Sequence, residues 1–244
     1  MAAAKGRVEP CPRRVRAWLG GELVVDTTAA RYGWEFPFYP QLYLPWSDVT
    51  PGVLVDEDRE MPTPFGRARR HALRADGQVR PHAARVHDLD VDSPVAGTVR
   101  LDWKALDTWF EEDEEVFVHP RNPYVRVDAL RSRRHVRVSL DGVTLAETST
   151  PVMLIGTGLP ARTYVPRTDV AWEHLVATDT VSECPYKGTT SGYWSTASHQ
   201  DVAWSYQFPT LAVALIAGLV AFYDERVDTW VDGVLQARPR TRHV

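Results

Sequence analysis

The sequence predicts a mainly β (α+β) protein built as two tandem copies of one domain, each with about one packed helix. Three observations lead there. Shifted by 121 residues, the 244-residue chain matches itself without a gap. Each copy opens on alternating apolar and polar residues around a turn signal. The middle of each copy is rich in β-branched and aromatic residues, which favour a pleated, half-buried surface.

The self-match runs the whole length. Val15-Arg16 falls on Val136-Arg137 and Gly21 on Gly142. Tyr43, Pro45, Asp48 and Val49 fall on Tyr164, Pro166, Asp169 and Val170. Asp107-Thr108-Trp109 falls on Asp228-Thr229-Trp230. So long a period is that of a domain rather than of a solenoid repeat. The expected division is an N-terminal copy over residues 1–118, a junction over 119–135 and a C-terminal copy over 136–244. An acidic run, Glu111 to Glu115, opens the junction region and reads as a solvated face.

Within a copy, Val136 to Leu140 alternates, Asp141-Gly142 gives a hairpin turn, and Val143 to Ala146 resumes the alternation. Gly20-Gly21 plays that part in copy one. Thr163-Tyr164-Val165-Pro166 reads as a strand that ends on its proline. The apolar run Leu211 to Tyr223 follows Pro209 and, from its length and alanine content, predicts a buried helix. Copy one has Val95 to Leu106 in that place. Asp228 to Gly233 reads as a closing strand and turn.

Composition excludes several classes. A net charge of -4 gives no global basic field for nucleic acid or an anionic membrane surface. Two cysteines, Cys11 and Cys184, exclude a disulfide framework and a four-cysteine zinc site. The 13-residue run from Leu211 is too short to span a bilayer, and Met1 to Gly6 lack the apolar core of a secretory signal. A cytoplasmic protein without metal or cofactor is expected. Its arginine-rich, lysine-poor usage fits a bacterium. A duplicated chain can replace a homodimer interface internally, so a monomer is expected.

Duplicated halves share scaffold residues, so a site is sought where they differ. Copy two has Glu183-Cys184-Pro185-Tyr186-Lys187-Gly188 where copy one has Pro62-Thr63-Pro64-Phe65-Gly66-Arg67. The thiol and the amine occur in copy two alone. If Pro185 opens a helical turn, Cys184 is its N-cap with Lys187 one turn on, which would favour thiolate. Lys187 could instead hold an anion as a point charge or form a Schiff base if desolvated. A buried apolar thiol beside a surface lysine is the alternative. Tyr193 and Tyr206 are candidate proton-transfer partners, and Trp194, Trp204 and His199 candidate ligand contacts. His119-Pro120-Arg121-Asn122-Pro123-Tyr124 offers His119, Arg121, Asn122 and Tyr124 as further ligand groups, expected to pack in a cleft between the halves. Asp88-Leu89-Asp90-Val91-Asp92 has no diagnostic metal spacing and reads as a polar loop.

At these residues the chain resembles the bacterial and fungal family catalogued as domain of unknown function 427, sometimes labelled nucleotidyltransferase-like. The stretches that carry the likeness are His119 to Tyr124, Thr163 to Pro166 with Asp169-Val170, and Cys184 to Gly188. Tyr193-Trp194, Ala203 to Tyr206, and Ile216 through Tyr223 to Asp228 complete it. The likeness is close over residues 119–234 and fainter over copy one. It implies a β-tent fold, whose members often bind small ligands in aromatic-walled pockets and often hold zinc through paired cysteines. No second cysteine stands near Cys184, so zinc is not expected.

The function expected is that of a small-molecule-binding β-tent protein acting on a small polar or anionic metabolite, with Cys184 and Lys187 in an aromatic pocket. A non-catalytic ligand-binding or sensing module is the first alternative, and a nucleotidyltransferase the second.

Overall fold

A computed structural model describes residues 5–89 and 92–241. Asp90 and Val91 of the acidic loop, and Met1 to Ala4 of the N-terminal reading, lie outside the described residues. The chain divides into two compact units, residues 1–124 and 125–244. Both are mainly β.

The first unit holds a seven-stranded sheet. Its spatial order is Val8–Pro10, Arg31–Gly33, Gln41–Pro45, Thr98–Leu101, Gln78–His87, Gly66–Ala75 and Leu54–Thr63. A four-stranded sheet runs Glu114–Glu115, Thr108–Glu111, Val15–Leu19 and Glu22–Thr27. The second unit repeats the design. Its larger sheet runs Val127–Arg131, Val152–Gly156, Arg162–Val165, Val220–Phe222, Ala203–Ser205, Gly192–Ser195 and Val176–Thr178. The smaller runs Val143–Thr148, Val136–Leu140, Asp228–Val231 and Val234–Leu235. Antiparallel sheets of this kind bury one face and alternate polar with apolar residues.

The hairpin expectations hold. Asp141 and Gly142 have φ of 51° and 81°, and Gly20 and Gly21 have 63° and 86°, so both turns need the left-handed region. Val136, Val138 and Leu140 point into the core between the two sheets, where Leu145, Val165, Val220 and Phe222 meet them. Val15, Ala17 and Leu19 do the same in the first unit, against Leu44, Val86 and Val99. Arg162–Val165 is a strand that stops at Pro166, which begins a 3-10 turn.

The expected packed helix does not form in either unit. Leu211–Ile216 makes 3-10 turns broken at Val213, and Val220–Phe222 is a central strand. Gly218, at φ 71°, separates the two. The run is apolar all round because its parts face different ways: Val213 and Ile216 are buried against the sheet, while Leu211 is exposed. In copy one, Thr98–Leu101 is likewise a strand and Trp103–Ala105 a short 3-10 turn.

The acidic run is not a solvated face throughout. Glu111 is buried and ion-paired with Arg13, and Glu114–Glu115 form a strand edge. Burial without a counter-charge would expel such a carboxylate, so Arg13 is what keeps it inside.

The repeat also slips. Arg70 pairs with Arg85, and Arg85 with Arg100, in the first unit. In the second, Tyr193 pairs with Trp204, and Trp204 with Ala221. Arg100 and Ala221 obey the 121-residue spacing, so Trp204 occupies the place of Arg85 and Tyr193 that of Arg70. The connections differ in length: 15 residues separate Arg70 from Arg85 where 11 separate Tyr193 from Trp204, and 15 separate Arg85 from Arg100 where 17 separate Trp204 from Ala221. The shared Asp-Thr-Trp slips by one. Trp109 pairs with Ala17 and is buried, whereas Trp230 pairs with Arg137 and stacks beneath its guanidinium at 4.9 Å. A one-residue slip turns a side chain to the other face.

Candidate functional site

The larger sheet of the second unit carries one row of side chains across its strands. Register places Val152, Tyr164, Ala221, Trp204, Tyr193 and Thr178 side by side on one face. Directly opposite residues share a face and touch. The other face meets the smaller sheet, so this row faces outward from the sandwich. Val213 and Ile216 pack onto part of it.

The row is knit by ring and hydroxyl contacts. Trp204 Nε1 donates to Tyr164 Oη at 3.3 Å, and the Trp204 and Tyr223 rings lie 4.3 Å apart. The Tyr193 hydroxyl shares hydrogen bonds with Ser182 Oγ at 2.7 Å and Tyr223 Oη at 3.1 Å. Burial pushes the Tyr164, Tyr206 and Tyr223 phenols well above their ordinary value, so each remains protonated and can donate.

Cys184 and Lys187 arrive from a hairpin. Glu183–Cys184 pairs with Gly188–Thr189, and Lys187 N donates to Cys184 O at 3.3 Å across the turn. Cys184 therefore ends a strand and caps no helical turn, unlike the arrangement expected from the Pro185 spacing. Thr210 fixes the turn: its N donates to Lys187 O at 3.1 Å and its Oγ1 to Tyr186 O at 2.7 Å. Lys187 Nζ lies 5.7 Å from the Tyr206 ring centre. Among the described residues no carboxylate pairs with it. Desolvation is the largest influence on this amine and holds it below its ordinary value of 10.5, with the Arg162 charge adding to the effect. The Cys184 sulfur lies close enough to act on Lys187, Tyr164 and Tyr206 alike.

A buried ion cluster supports this row. Arg162 pairs with Asp224 at 3.1 Å and with Glu225, and its guanidinium stands over the Trp204 and Tyr223 rings at 5.8 and 6.0 Å. Burial pushes the Asp224 carboxyl up, although Thr229 Oγ1 donates to it at 2.7 Å. Arg162, Tyr164, Tyr223, Asp224, Glu225 and Ser182 were not among the expected site residues. Copy one has Gln41, Trp103 and Lys104 at the 121-residue counterparts of Arg162, Asp224 and Glu225, so the contrast between copies could have revealed them.

The structure brings together Cys184, Lys187, Tyr193, Tyr206 and Trp204. It does not bring Trp194 or His199 to them. Trp194 neighbours Tyr193 in the strand, so alternation turns it to the opposite face, where it packs on Trp172 at 5.1 Å. His199 contacts Ser198 Oγ at 3.0 Å and Asp141 at 3.5 Å. The described contacts of His119, Arg121, Asn122 and Tyr124 are with the first unit. His119 stacks on Tyr39 at 3.7 Å, and burial lowers its imidazole. Arg121 N donates to Glu111 Oε1 at 3.3 Å. Asn122 is buried and donates to Phe38 O at 3.0 Å, and Tyr124 Oη bonds Glu9.

Beside the Tyr193 and Tyr223 hydroxyls opens a cleft of about 280 Å³, lined by Thr180, Tyr193, Gln200, Asp201, Tyr223 and Arg226. Among the described residues no three His, Cys, Asp or Glu side chains gather as metal ligands. No helix of the described residues is long and apolar enough to cross a membrane.

Fold and row together define a duplicated mainly β protein whose second copy alone carries an aromatic face with a desolvated lysine. The chain belongs to the family described as a domain of unknown function (DUF427), whose model matches it twice, over residues 7–112 and 128–233. No curated protein matches the chain.

Proposed function

We propose that the second unit binds a small polar metabolite bearing a carbonyl group, and that Lys187 is its reactive group. The observation that carries this reading is the Lys187 amine, desolvated over the Tyr206 ring with no carboxylate partner among the described residues. A lowered lysine exposes its lone pair, and the neutral amine attacks a carbonyl carbon. The carbonyl electrons move to oxygen, the nitrogen gives up both protons, and loss of water leaves an imine. The oxygen leaves as water with the two protons the amine gives up, and Tyr206, beside the amine and held protonated, can hydrogen-bond to that oxygen without losing its own proton.

The test is reductive trapping. The protein is incubated with a panel of small aldehydes and 2-keto acids in cyanoborohydride, and the adduct is mapped by mass spectrometry. A stable adduct on Lys187, absent in Lys187→Met, is expected. Adducts spread over surface lysines with none on Lys187 would overturn the reading.

A second reading rests on the cleft beside Tyr193 and Tyr223. Its polar floor, with Arg226 at one wall, suits a binding module without chemistry. In that case members of the panel raise Tm by mass action and trap no adduct.

A further inference from the structure

The first unit carries the same sheet face, and its row is cationic where that of the second unit is aromatic. Arg31 pairs with Tyr43, and Leu44 with Val99, which brings Tyr43 level with Arg100. Arg100 then pairs with Arg85, Arg85 with Arg70 and Arg70 with Arg59. Four arginines thus stand abreast on adjacent strands, spaced about 5 Å per step. Like charges directly opposite one another destabilise a sheet, so this arrangement works against folding unless something offsets it.

The counter-charge supplied by the unit is incomplete. Glu57 pairs with Arg70 at 2.6 Å and Glu35 with Arg100 at 3.3 Å. Gln41 Oε1 also accepts from Arg100 at 3.0 Å. Among the described residues no carboxylate and no hydrogen-bond acceptor pairs with Arg85, which stands between these two partnered arginines. Burial, then the Arg100 charge, lowers the Arg85 guanidinium below its ordinary value, and Glu35 and Asp102 oppose that without pairing with it. Two residues along the same strand face, His87 is fully buried, and its ring nitrogens find no well-aligned partner beyond the nearby Arg67 backbone. Its ring is 5.7 Å from that of Tyr43, whose hydroxyl donates to Glu35 at 2.9 Å. A half-buried guanidinium without a counter-charge and a buried imidazole short of well-aligned partners, on one surface, define a place for an anion.

We infer that the first unit binds a phosphate-type oxyanion of a small ligand at Arg85, with Arg100 beside it and His87 as a further donor. Arg85 meets two oxygens with its planar fork, a match that ammonium groups lack. The row rises from exposed Arg59 through half-buried Arg70 and Arg85 to Arg100, a graded path for an anion toward the interior. The copy that lacks the counterparts of Cys184 and Lys187 thereby has a site of its own, independent of Lys187.

The experiment titrates the full chain with inorganic phosphate and pyrophosphate, at ionic strength held constant with potassium chloride, and follows binding by calorimetry and Tm. Saturable binding at one site per chain is expected, unchanged in Lys187→Met and weakened tenfold or more in Arg85→Met. Without ligand, Arg85→Met is expected to melt above the parent, because a half-buried charge without a counter-charge, flanked by other arginines, is gone; this also reports that the variant folds. Arg85→Lys, which keeps the charge and loses the fork, is expected to bind with intermediate affinity. Equal binding by parent and Arg85→Met, or no saturable binding of either anion by the parent, overturns the inference.

Discussion

Trp204 holds in the second unit the sheet position that Arg85 holds in the first, each directly opposite the strand residue that follows the repeat spacing, Ala221 or Arg100. One fold thus presents two chemistries from one position. The indole donates to Tyr164 and stacks on Tyr223. The guanidinium stands among other guanidiniums. The scaffold that both share is the core face beneath, where Val86 and Ser205 keep the alternation and the smaller sheet closes over it.

Lys187 makes the stability of the protein depend on pH in a defined sense. Burial holds its amine below the 10.5 of the unfolded chain. Between the lowered value and 10.5 the folded state binds fewer protons than the unfolded one, so stability rises with pH through that window. Below it, the folded state carries a partly desolvated ammonium. Lys187→Met should therefore be more stable than the parent at neutral pH. The gain should shrink as pH approaches 10.5. Urea midpoints at neutral and alkaline pH measure this; a variant less stable than the parent at neutral pH refutes it.

Much of the architecture was legible in the chain, and the reasons are local. Asp141-Gly142 fixes a hairpin because its φ values exclude most other residues, and Tyr164-Val165-Pro166 stops a strand because proline has no N–H to give the ladder. What misled was counting. Bulges and turn lengths are set by backbone geometry that residue identity hardly records, so a gapless match set Trp204 against Ala83 and Tyr206 against Arg85. Strand pairing moves these partners two residues along, to Arg85 and His87. The apolar run at 211–223 misled for a related reason: an inner strand buried on both faces and a covering turn together imitate a buried helix. The cationic row was hidden because its arginines are far apart in sequence and meet only through register.

Arg162 is expected to be a structural keystone of the aromatic face. It pairs with Asp224 and Glu225, and burial already pushes the Asp224 carboxyl up even with the guanidinium in place. Arg162→Met leaves a buried carboxylate without its partner, a loss of about 3–5 kcal/mol. Adding Asp224→Asn to that variant removes the orphaned charge and should restore part of the loss. Denaturant unfolding of the two variants tests this; a single variant as stable as the parent excludes the role.

Asn122 is expected to serve folding of the first unit. Its Nδ2 donates to Phe38 O and its Oδ1 accepts from Tyr124 N, both at 3.0 Å, and the side chain is buried. Asn122→Ala strands both backbone partners and should cost about 1–3 kcal/mol. Because both bonds lie within that unit, trapping on Lys187 should persist in the folded variant. Loss of trapping at unchanged stability would instead make Asn122 a ligand contact.

His87 should give the first unit an acid sensitivity that an oxyanion relieves. Desolvation is the main cause of its lowered imidazole, opposed by Glu35 and Asp88 and reinforced by Arg85, with the Tyr43 ring packed against it. The folded state therefore binds fewer protons than the unfolded state between the lowered value and 6.5. Stability rises with pH across that window, so acidification below 6.5 weakens the fold. His87→Phe keeps an aromatic ring, as Tyr206 does in the second unit, and should flatten this slope. A bound dianion would favour the imidazolium and raise its affinity for protons, so saturating sulfate, which keeps its charge across this range, should also flatten the slope in the parent and do nothing further in His87→Phe. Urea unfolding from neutral pH down to about pH 5, the range in which a histidine titrates, reads both effects. A parent slope as steep in His87→Phe as without the substitution would show that the proton is taken up elsewhere.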